Sequence, residues 1–303
     1  MKCPVCGDKQ NELVITSKGS SYLNLFGVGV FECKICTFIF SDFIANEVLS
    51  LFYENMIRSS EPISISKLRD LTRANGQSQL TTIKPFLPEK LGRVLDFGGG
   101  FGEAARLYLP FSEKVYIVEK DPIAINCIKE TPEIEILEEE DLLAEEYVGF
   151  FDLIIFSNVL EHVTSPKEQI QKFSRITANG GFLFVEVPYE AELRKLDSRL
   201  SGQMHVGFYT LESFRTLIKG QGSFDILDIR RCGASIDKII KAKNLLHDIE
   251  SQNTEDGYEI RALLKNTRPN QTVLENEFDS EESDGILENL SDYLFRKASS
   301  RGS

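Results

Sequence analysis

The sequence of 303 residues predicts an α/β protein whose core is a doubly wound, mostly parallel sheet of seven strands, with a small ribbon before it. Three observations favour this fold class. Short apolar segments alternate with helical patterns over residues 91–265, as in repeated strand–helix–strand units. One of these segments, residues 93–97, runs into a glycine-rich turn and a new helix. Two Cys-x-x-Cys motifs lie near the amino terminus, before the alternating region.

The strands are predicted from short apolar segments that Gly, Pro or Asn residues bound. Helical patterns occupy the connections, and one helix, predicted over residues 66–86, comes before the sheet. Ser165 and Thr210 are predicted to cap two later helices, the first of which is expected to run to about residue 178. In chain order, the predicted strands cover residues 93–97, 115–118, 134–137, a segment that starts at 151 and runs into a loop by 163, then 182–188, 224–229 and 258–265.

The glycine-rich turn contains Gly98, Gly100 and Gly102 and follows Asp96 at the strand end. Glycine lets the backbone turn sharply and approach a ligand where any Cβ would collide. A dinucleotide-binding turn would need a small residue in place of Glu103, because a carboxylate in the first helical turn repels a pyrophosphate. The turn therefore favours a ligand with positive charge, such as S-adenosylmethionine, which has a sulfonium and an ammonium group. A glycine turn without a ligand is the alternative.

Glu119 ends the second predicted strand, about twenty residues after the turn. An acid at this position can accept hydrogen bonds from both ribose hydroxyls of a bound nucleoside. We therefore predict that Glu119 binds the ribose of the cofactor.

The motif Asp-x-Gly-x-Gly-x-Gly, which begins at Asp96, resembles the first motif of the class I S-adenosylmethionine-dependent methyltransferases. The segment 151–163, with Leu-Glu-His-Val at its end, also resembles the corresponding segment of that family. The resemblance covers about residues 91–265 and implies a Rossmann-like methyltransferase fold whose last strand is antiparallel. It also implies S-adenosylmethionine as the cofactor and methyl transfer as the activity.

The resemblance assigns further residues to the cofactor site. Asp96 is expected near the methionine portion, and the acid at Asp141, with Leu142 after it, is expected to read the adenine amino group. The run of acids at 138–141 leaves the register of that acid open. Together with Glu119, the cofactor-binding residues predicted in this way are Asp96, Gly98, Gly100, Asp141, Leu142, Ser157 and Asn158.

The amino-terminal ribbon, residues 1–42, contains the pairs Cys3/Cys6 and Cys33/Cys36. Four thiolates at this spacing can close a tetrahedral zinc site without an open position, which is typical of structural zinc. Disulfides or unrelated thiols are the alternatives. A four-cysteine ribbon before a methyltransferase domain resembles a bacterial subgroup that methylates sugars or nucleotide sugars. This resemblance implies a small-molecule acceptor, most of all a sugar.

Methyl transfer requires a base only if the nucleophile carries a proton. His205, in a loop after the fifth predicted strand, and His162 are the candidate bases. Tyr53 is a third catalytic candidate, because a phenol over a sulfonium makes a favourable contact. Each has a structural alternative: His205 packs its loop, His162 supports the loop after the fourth strand, and Tyr53 is a core aromatic at helical spacing.

The charge balance limits the partners. The chain has 34 Lys and Arg residues against 47 Asp and Glu residues, so its formal net charge is −13. This argues against a nucleic-acid partner, whose phosphates require a basic surface. A methyltransferase that acts on RNA or protein docked by the ribbon, and an inactive scaffold with a methyltransferase fold, are the rival hypotheses.

The predicted organisation is a zinc ribbon at 1–42, a helical linker or lid at 43–90, the methyltransferase domain at 91–265 and an acidic, flexible tail at 266–303. No apolar segment has the length that spans a bilayer, so no membrane span is expected. The start of the sequence lacks an apolar leader and the cysteines suit a reducing compartment, which together predict a cytoplasmic protein. The sequence leaves the oligomeric state open.

Overall fold

The computed structural model describes residues 1–15, 30–41, 65–190, 205–235 and 255–268. All of these belong to one unit, Met1–Asn270, and the second unit, Gln271–Ser303, lies outside the described residues. Tyr53 and nearly all of the predicted tail also lie outside the described residues. The predicted domain boundaries at 42, 90 and 265 stay predictions.

The described strands form two sheets, a large central one and a small one that contains the ribbon. The seven strands of the large sheet overlap the seven strands that the sequence predicts. In chain order, the described strands are β1 (Asn11–Ile15), β2 (Val30–Cys33), β3 (Ile39–Ser41), β4 (Leu91–Phe97), β5 (Ser112–Val118), β6 (Ile134–Leu137), β7 (Phe151–Ser157), β8 (Thr177–Pro188), β9 (Gly207–Phe208), β10 (Phe224–Ser235) and β11 (Gly257–Asn266).

The central sheet has seven strands in the order β10-β11-β8-β7-β4-β5-β6. The strands from β8 to β6 are parallel to one another, whereas β11 is antiparallel to both β8 and β10. This confirms the predicted doubly wound, mostly parallel sheet with an antiparallel last strand. The winding direction changes at β4, which has β5 on one side and β7 on the other. In such sheets, ligands bind outside the carboxyl ends of the strands at this switch point.

Each central strand contributes to both faces of the sheet, because successive side chains point to opposite sides. In β4, Leu95 and Phe97 belong to one hydrophobic core, and Val94 belongs to the other. This burial on both faces explains why the central strands appear in the sequence as continuous apolar runs.

The helices lie between the strands, and a long helix comes before β4. Among the described residues, the α-helices are α1 (Ile65–Ile83), α2 (Glu103–Arg106), α3 (Pro122–Ile128), α4 (Pro166–Ile176) and α5 (Leu211–Lys219). Short 3₁₀ helices cover Lys84–Phe86, Leu109–Phe111, Glu140–Leu143, Glu145–Tyr147 and Leu160–His162. None of the helices in the described part of the chain combines the length and apolarity that crossing a bilayer requires.

The two predicted helix caps have different outcomes. The hydroxyl of Thr210 accepts a hydrogen bond from the amide of Ser213 across 3.0 Å and caps α5, as predicted. Ser165 makes no such bond at α4, so that prediction is wrong. Pro166 has no N–H and its fixed φ suits the first helical position, so it opens the helix there. The helix ends at Ile176 because β8 begins with the next residue.

The small sheet joins the ribbon to the rest of the protein. Its order is β1-β2-β3-β9, and β9 comes from the segment after β8. Phe208 pairs with Ile39 and Gly207 pairs with Phe40 in an antiparallel register. Residues of the ribbon, including Cys3 and Phe38, belong to the same hydrophobic core as one face of the central sheet. The ribbon and the central sheet therefore share one core.

Candidate active site

The glycine-rich turn leaves the carboxyl end of β4. Gly98 has a φ of 73° and Gly100 a φ of 53°, in the left-handed region that favours glycine. A Cβ on Gly98 would lie 2.5 Å from Cγ2 of Val159, so packing within the chain requires glycine there. A Cβ on Gly100 would meet no atom within 4 Å. The space beside Gly100 is therefore open to a ligand that approaches the backbone.

The carboxylate of Glu119 holds this turn from the end of the neighbouring strand β5. Its Oε2 accepts a hydrogen bond from the amide of Gly100 across 2.7 Å. Its Oε1 accepts from the amides of Lys120 and Asp121 at 2.7 and 2.9 Å. The structure thus brings together two residues that the sequence assigned to one cofactor site, Gly100 and Glu119.

Asp96 lies inside the end of β4, with only 3% of its surface exposed. Its Oδ2 is buried and has no hydrogen-bond partner in the part of the chain that the structure describes. Burial, with a further contribution from the charge of Glu119, raises the pKa of Asp96 to about 7. A buried carboxylate oxygen without a donor is a suitable partner for a cationic group of a ligand.

Glu103 has a different environment from the one that the sequence suggested. In the sequence, a carboxylate at this position favours a positively charged ligand. In the structure this carboxylate is buried and pairs with the guanidinium groups of Arg69, Arg73 and Arg106 at 2.7, 2.7 and 3.0 Å. Its charge is therefore neutralised inside the protein, where it fastens α1 to α2, and it does not select the ligand. Asp96 supplies the unpaired acid instead.

Asp141 and Leu142, the predicted adenine-reading residues, lie in the 3₁₀ helix after β6. Asp141 is exposed, and its Oδ2 accepts a hydrogen bond from the amide of Glu138 across 3.1 Å. Leu142 is fully buried in the core, so its side chain contributes packing at this position. Their contact with adenine stays a prediction.

Ser157 is the last residue of β7 and Asn158 follows it, and both contact Glu186 of β8. The hydroxyl of Ser157 donates to Oε1 of Glu186 across 2.9 Å, and the side-chain amide of Asn158 donates to the same oxygen at 3.2 Å. Asn158 has a φ of 53°, a conformation that Asn tolerates better than most residues. The two predicted cofactor residues are thus held by a buried carboxylate, Glu186, which is not among the residues predicted from the sequence.

Glu186 is the centre of a buried polar network. Its Oε1 also accepts hydrogen bonds from Gln79 at 2.6 Å and Asn75 at 3.1 Å, both on α1, and its Oε2 pairs with Arg261 of β11. Burial opposes the charge of Glu186, but Arg261 and these donors hold its pKa below the usual value. The signal for this network in the sequence is one acid, Glu186, in the apolar second half of β8 and one arginine, Arg261, in β11.

His205 lies in a cluster of polar side chains next to these strand ends. It is 4% exposed, and its Nδ1 lies 2.6 Å from Oε2 of Glu190. Its Nε2 lies 3.9 Å from Oε1 of Glu161. The imidazole of His162 meets that of His205 edge to face, with ring centroids 4.7 Å apart. The structure therefore brings the two histidines that the sequence singled out into contact.

Three residues of this cluster were not predicted from the sequence. Glu161 is 1% exposed, its Oε2 has no hydrogen-bond partner among the described residues, and burial raises its pKa to about 7. Glu190 accepts a hydrogen bond from the hydroxyl of Tyr258 across 2.5 Å. Glu161 could have been found from the sequence, because it lies beside His162 in a strand-end loop. Glu190 and Tyr258 are far apart in the chain, and no local pattern indicates that they meet.

The four ribbon cysteines also converge. Sγ of Cys3 lies 3.6 Å from Sγ of Cys36, and Sγ of Cys6 lies 3.5 Å from Sγ of Cys33. All four sulfur atoms lie within 4.8 Å of one another, and all carry free thiols. Zinc–sulfur bonds of about 2.3 Å in a tetrahedron place the sulfurs about 3.8 Å apart, so this arrangement fits a Cys₄ zinc site.

The residues of the strand-end site fit S-adenosylmethionine. Asp96 offers a buried acid without a donor, Glu119 offers carboxylate oxygens beside the turn, and Gly100 leaves space for close approach of a ligand to the backbone. These groups suit, in that order, a cationic group, the hydroxyls of a ribose and a close contact between the ligand and the backbone.

A family model described as a methyltransferase domain matches residues 71–227, slightly more than half of the chain. The chain therefore belongs to the methyltransferase domain family. Family membership makes it a methyltransferase, and the strand-end site described above has groups that suit S-adenosylmethionine as its cofactor. Comparison with curated proteins gave no match.

Several solved structures are similar to this chain. An S-adenosylmethionine-dependent methyltransferase of Thermotoga maritima, described as a possible histamine N-methyltransferase, is 15% identical, with a TM-score of 0.52 over 73% of this chain and 99% of its own. The N-methyltransferase NodS of Bradyrhizobium japonicum WM9 in complex with S-adenosyl-L-homocysteine is 16% identical, with a TM-score of 0.46 over 72% and 97%. At such identities, the likeness to the Thermotoga structure concerns the fold alone.

Proposed function

We propose that this methyltransferase acts on a small polar acceptor, a sugar or nucleotide sugar. The observation that carries this proposal is the cluster of Glu161, Glu190 and His205 at the strand ends, where buried carboxylates and an imidazole lie together. Oε2 of Glu161 has no hydrogen-bond partner among the described residues, and it can accept a hydrogen bond from a hydroxyl group of a sugar. The net charge of −13 argues against an RNA substrate, as the sequence already indicated.

The cofactor is proposed to lie along the carboxyl ends of β4 and β5. Glu119 would accept hydrogen bonds from the ribose, Asp96 would face the methionine portion, and Gly98 and Gly100 would let the backbone approach it. Ser157 and Asn158, held by Glu186, are proposed to border the same space. When bound, S-adenosylmethionine supplies an electrophilic methyl group on its sulfonium. The protein's contribution is then to hold the acceptor in line with that group.

We propose His205 as the base that receives the acceptor's proton. A hydrogen bond from Nδ1 to the carboxylate of Glu190 fixes the ring orientation and the tautomer, and in that tautomer the lone pair of the imidazole is on Nε2. Burial and the charge of Glu190 raise the pKa of Tyr258, so its hydroxyl stays protonated and donates to Glu190. His162 is proposed to support the ring of His205 or to replace it as the base. The role of Tyr53 stays a prediction, because it lies outside the described residues.

The four cysteines are proposed to hold one structural zinc ion. The sulfur–sulfur distances are short, and the proposed ligands are four thiols. Both features suit a closed site. Thiolate ligands require a reducing compartment, which supports the proposal that the enzyme acts in the cytoplasm.

Incubation with methyl-labelled cofactor tests the acceptor class. The protein, and His205→Ala as its control, would be supplied with a panel of nucleotide sugars, transfer RNA and protein fractions from a lysate. We expect label in one or more nucleotide sugars with the unmodified protein and far less with the variant. Label in RNA or protein alone would overturn the small-molecule proposal, and no cofactor binding in calorimetry would indicate an inactive scaffold.

A further inference from the structure

The segment that carries His205 lies between the cysteine ribbon and the strand-end site. On the ribbon side, Gly207 and Phe208 of β9 pair with Phe40 and Ile39 of β3. The amide of Ser41 donates to the carbonyl of Val206 across 3.0 Å. The ribbon therefore holds the backbone immediately after His205.

The other side of this segment is held by the strand-end loop. The amide of Val206 donates to the carbonyl of Glu161 across 2.8 Å. Val206 thus accepts a hydrogen bond from the ribbon and donates one to the loop that contains Glu161 and His162. Because His205 precedes Val206, the distance from its Nε2 to Glu161 depends on both attachments.

Side chains next to the cysteines reinforce the attachment. Thr37 follows Cys36 directly and has a φ of 60°, and its amide donates to the carbonyl of Cys33 across 2.9 Å. The hydroxyl of Thr37 lies 2.7 Å from that of Thr210. The ring of Phe38 packs against Tyr209, with centroids 4.8 Å apart. The positions of residues 209 and 210 therefore depend on the conformation of the second Cys-x-x-Cys turn.

We propose that metal binding by the four cysteines positions His205, and that Thr37 and Phe38 are positioning residues of the acceptor site. A metal ion would fix the end of β2 at Cys33 and the turn at Cys36, from which β3 starts. β3 sets the register of β9, and β9 sets the place of Val206 and His205. The inference rests on the proposed function for the role of His205 and for the identity of the metal. According to this proposal, the ribbon contributes to catalysis by positioning His205, which a separately folded zinc module would not do.

Histidine side-chain NMR of the full chain tests this proposal without an acceptor, because the sequence contains only 3 histidines. The His205 signal is assigned by its loss in His205→Gln. We expect the signal to move when a chelator removes the metal. The affinity for S-adenosylmethionine should change less than about twofold, equivalent to roughly 0.4 kcal/mol. An unmoved His205 signal in metal-free protein that still binds the cofactor would overturn the coupling.

A pair of variants decides the question if metal removal unfolds the protein. Thr37→Val keeps the size of the side chain and all four cysteines but removes the hydroxyl that contacts Thr210, whereas Thr37→Ser keeps a hydroxyl. We expect both to retain the metal and the cofactor affinity. Only Thr37→Val should shift the His205 signal, and Thr37→Ser should resemble the unmodified protein. Identical signals in all three proteins would overturn the proposal. Failure to find a methyl acceptor would leave this comparison unaffected.

Discussion

The amide of Gly100 donates to the carboxylate of Glu119 across 2.7 Å, so the turn after one strand is fastened to the acid after the next strand. The two residues are separated by a helix and a strand in the chain, yet they border the same space at the carboxyl edge of the sheet. Glu119 therefore shapes the turn at the place where we propose that the ribose binds.

Glu119→Ala should weaken the binding of S-adenosylmethionine about tenfold or more, because charge-assisted hydrogen bonds contribute roughly 1.5 to 3 kcal/mol. Calorimetry measures this directly. Glu113→Ala, an exposed acid on the same strand β5, is the matched control and should bind normally. Equal affinities for the two variants would show that the ribose lies elsewhere.

Cofactor binding should depend on pH through Asp96. Burial raises the pKa of Asp96 to about 7 in the ligand-free protein, and a cationic ligand lowers it again. Below pH 7 the free protein holds a proton that binding must release, so affinity should rise with pH up to about 7 and then level off. Calorimetry at several pH values, in buffers of different ionisation enthalpy, measures the released protons. In Asp96→Asn the affinity should be lower and this release should vanish; unchanged proton release in the variant would rule out Asp96 as its source.

His205→Ala should lower turnover by about 10² to 10⁴, the usual contribution of a positioned base, with little change in cofactor affinity. The rate of the unmodified enzyme should fall as the pH is lowered, because a protonated imidazole cannot accept a proton. Steady-state assays with the identified acceptor measure both effects. His247→Ala, which changes the third histidine of the sequence, is the control. Near-normal turnover in a folded His205→Ala protein would move the role to His162 or Tyr53.

The purified protein should contain about one zinc ion per chain, and Cys36→Ser should lose most of it, because a closed site needs four ligands. Cys127→Ser removes a buried cysteine outside the cluster and should keep its zinc. Elemental analysis of the three proteins provides the measurement. Far less than one zinc in the unmodified protein would contradict the proposed site.

Arg261→Met should reduce the free energy of unfolding by about 3 to 5 kcal/mol, because it leaves the buried carboxylate of Glu186 without its ion pair. Adding Glu186→Gln should restore much of this stability.

Arg230→Met is the matched control. Arg230 lies opposite Arg261 in the register of β10 and β11, but its ion pair with Asp228 is partly exposed, so the free energy of unfolding should fall by less than about 1 kcal/mol. Urea unfolding measures all three. A loss for Arg261→Met as small as that of the control would show that the buried pair contributes little.

The positions of the seven sheet strands and of the helix before them followed from the sequence, because their signals are local. A short apolar run such as Ile134–Leu137 and the glycines after Phe97 restrict the backbone of their own segment. The four cysteines of the proposed zinc site were equally easy to find in the sequence, since each Cys-x-x-Cys turn brings its own two thiols together. The order of the motifs along the chain then indicated the methyltransferase fold.

The composition of the proposed catalytic cluster and the attachment of the ribbon depended on the tertiary structure. Glu190 meets Tyr258, Glu186 meets Arg261, and β3 meets β9 across separations of 68, 75 and more than 160 residues, and no local pattern records such pairs. Glu103 shows the same limit. Its negative charge is visible in the sequence, but the three arginine side chains that neutralise it are brought to it only by folding. The sequence determined which segments form strands, turns and cysteine knuckles. Only packing decided which buried charges are paired and which remain available to a ligand.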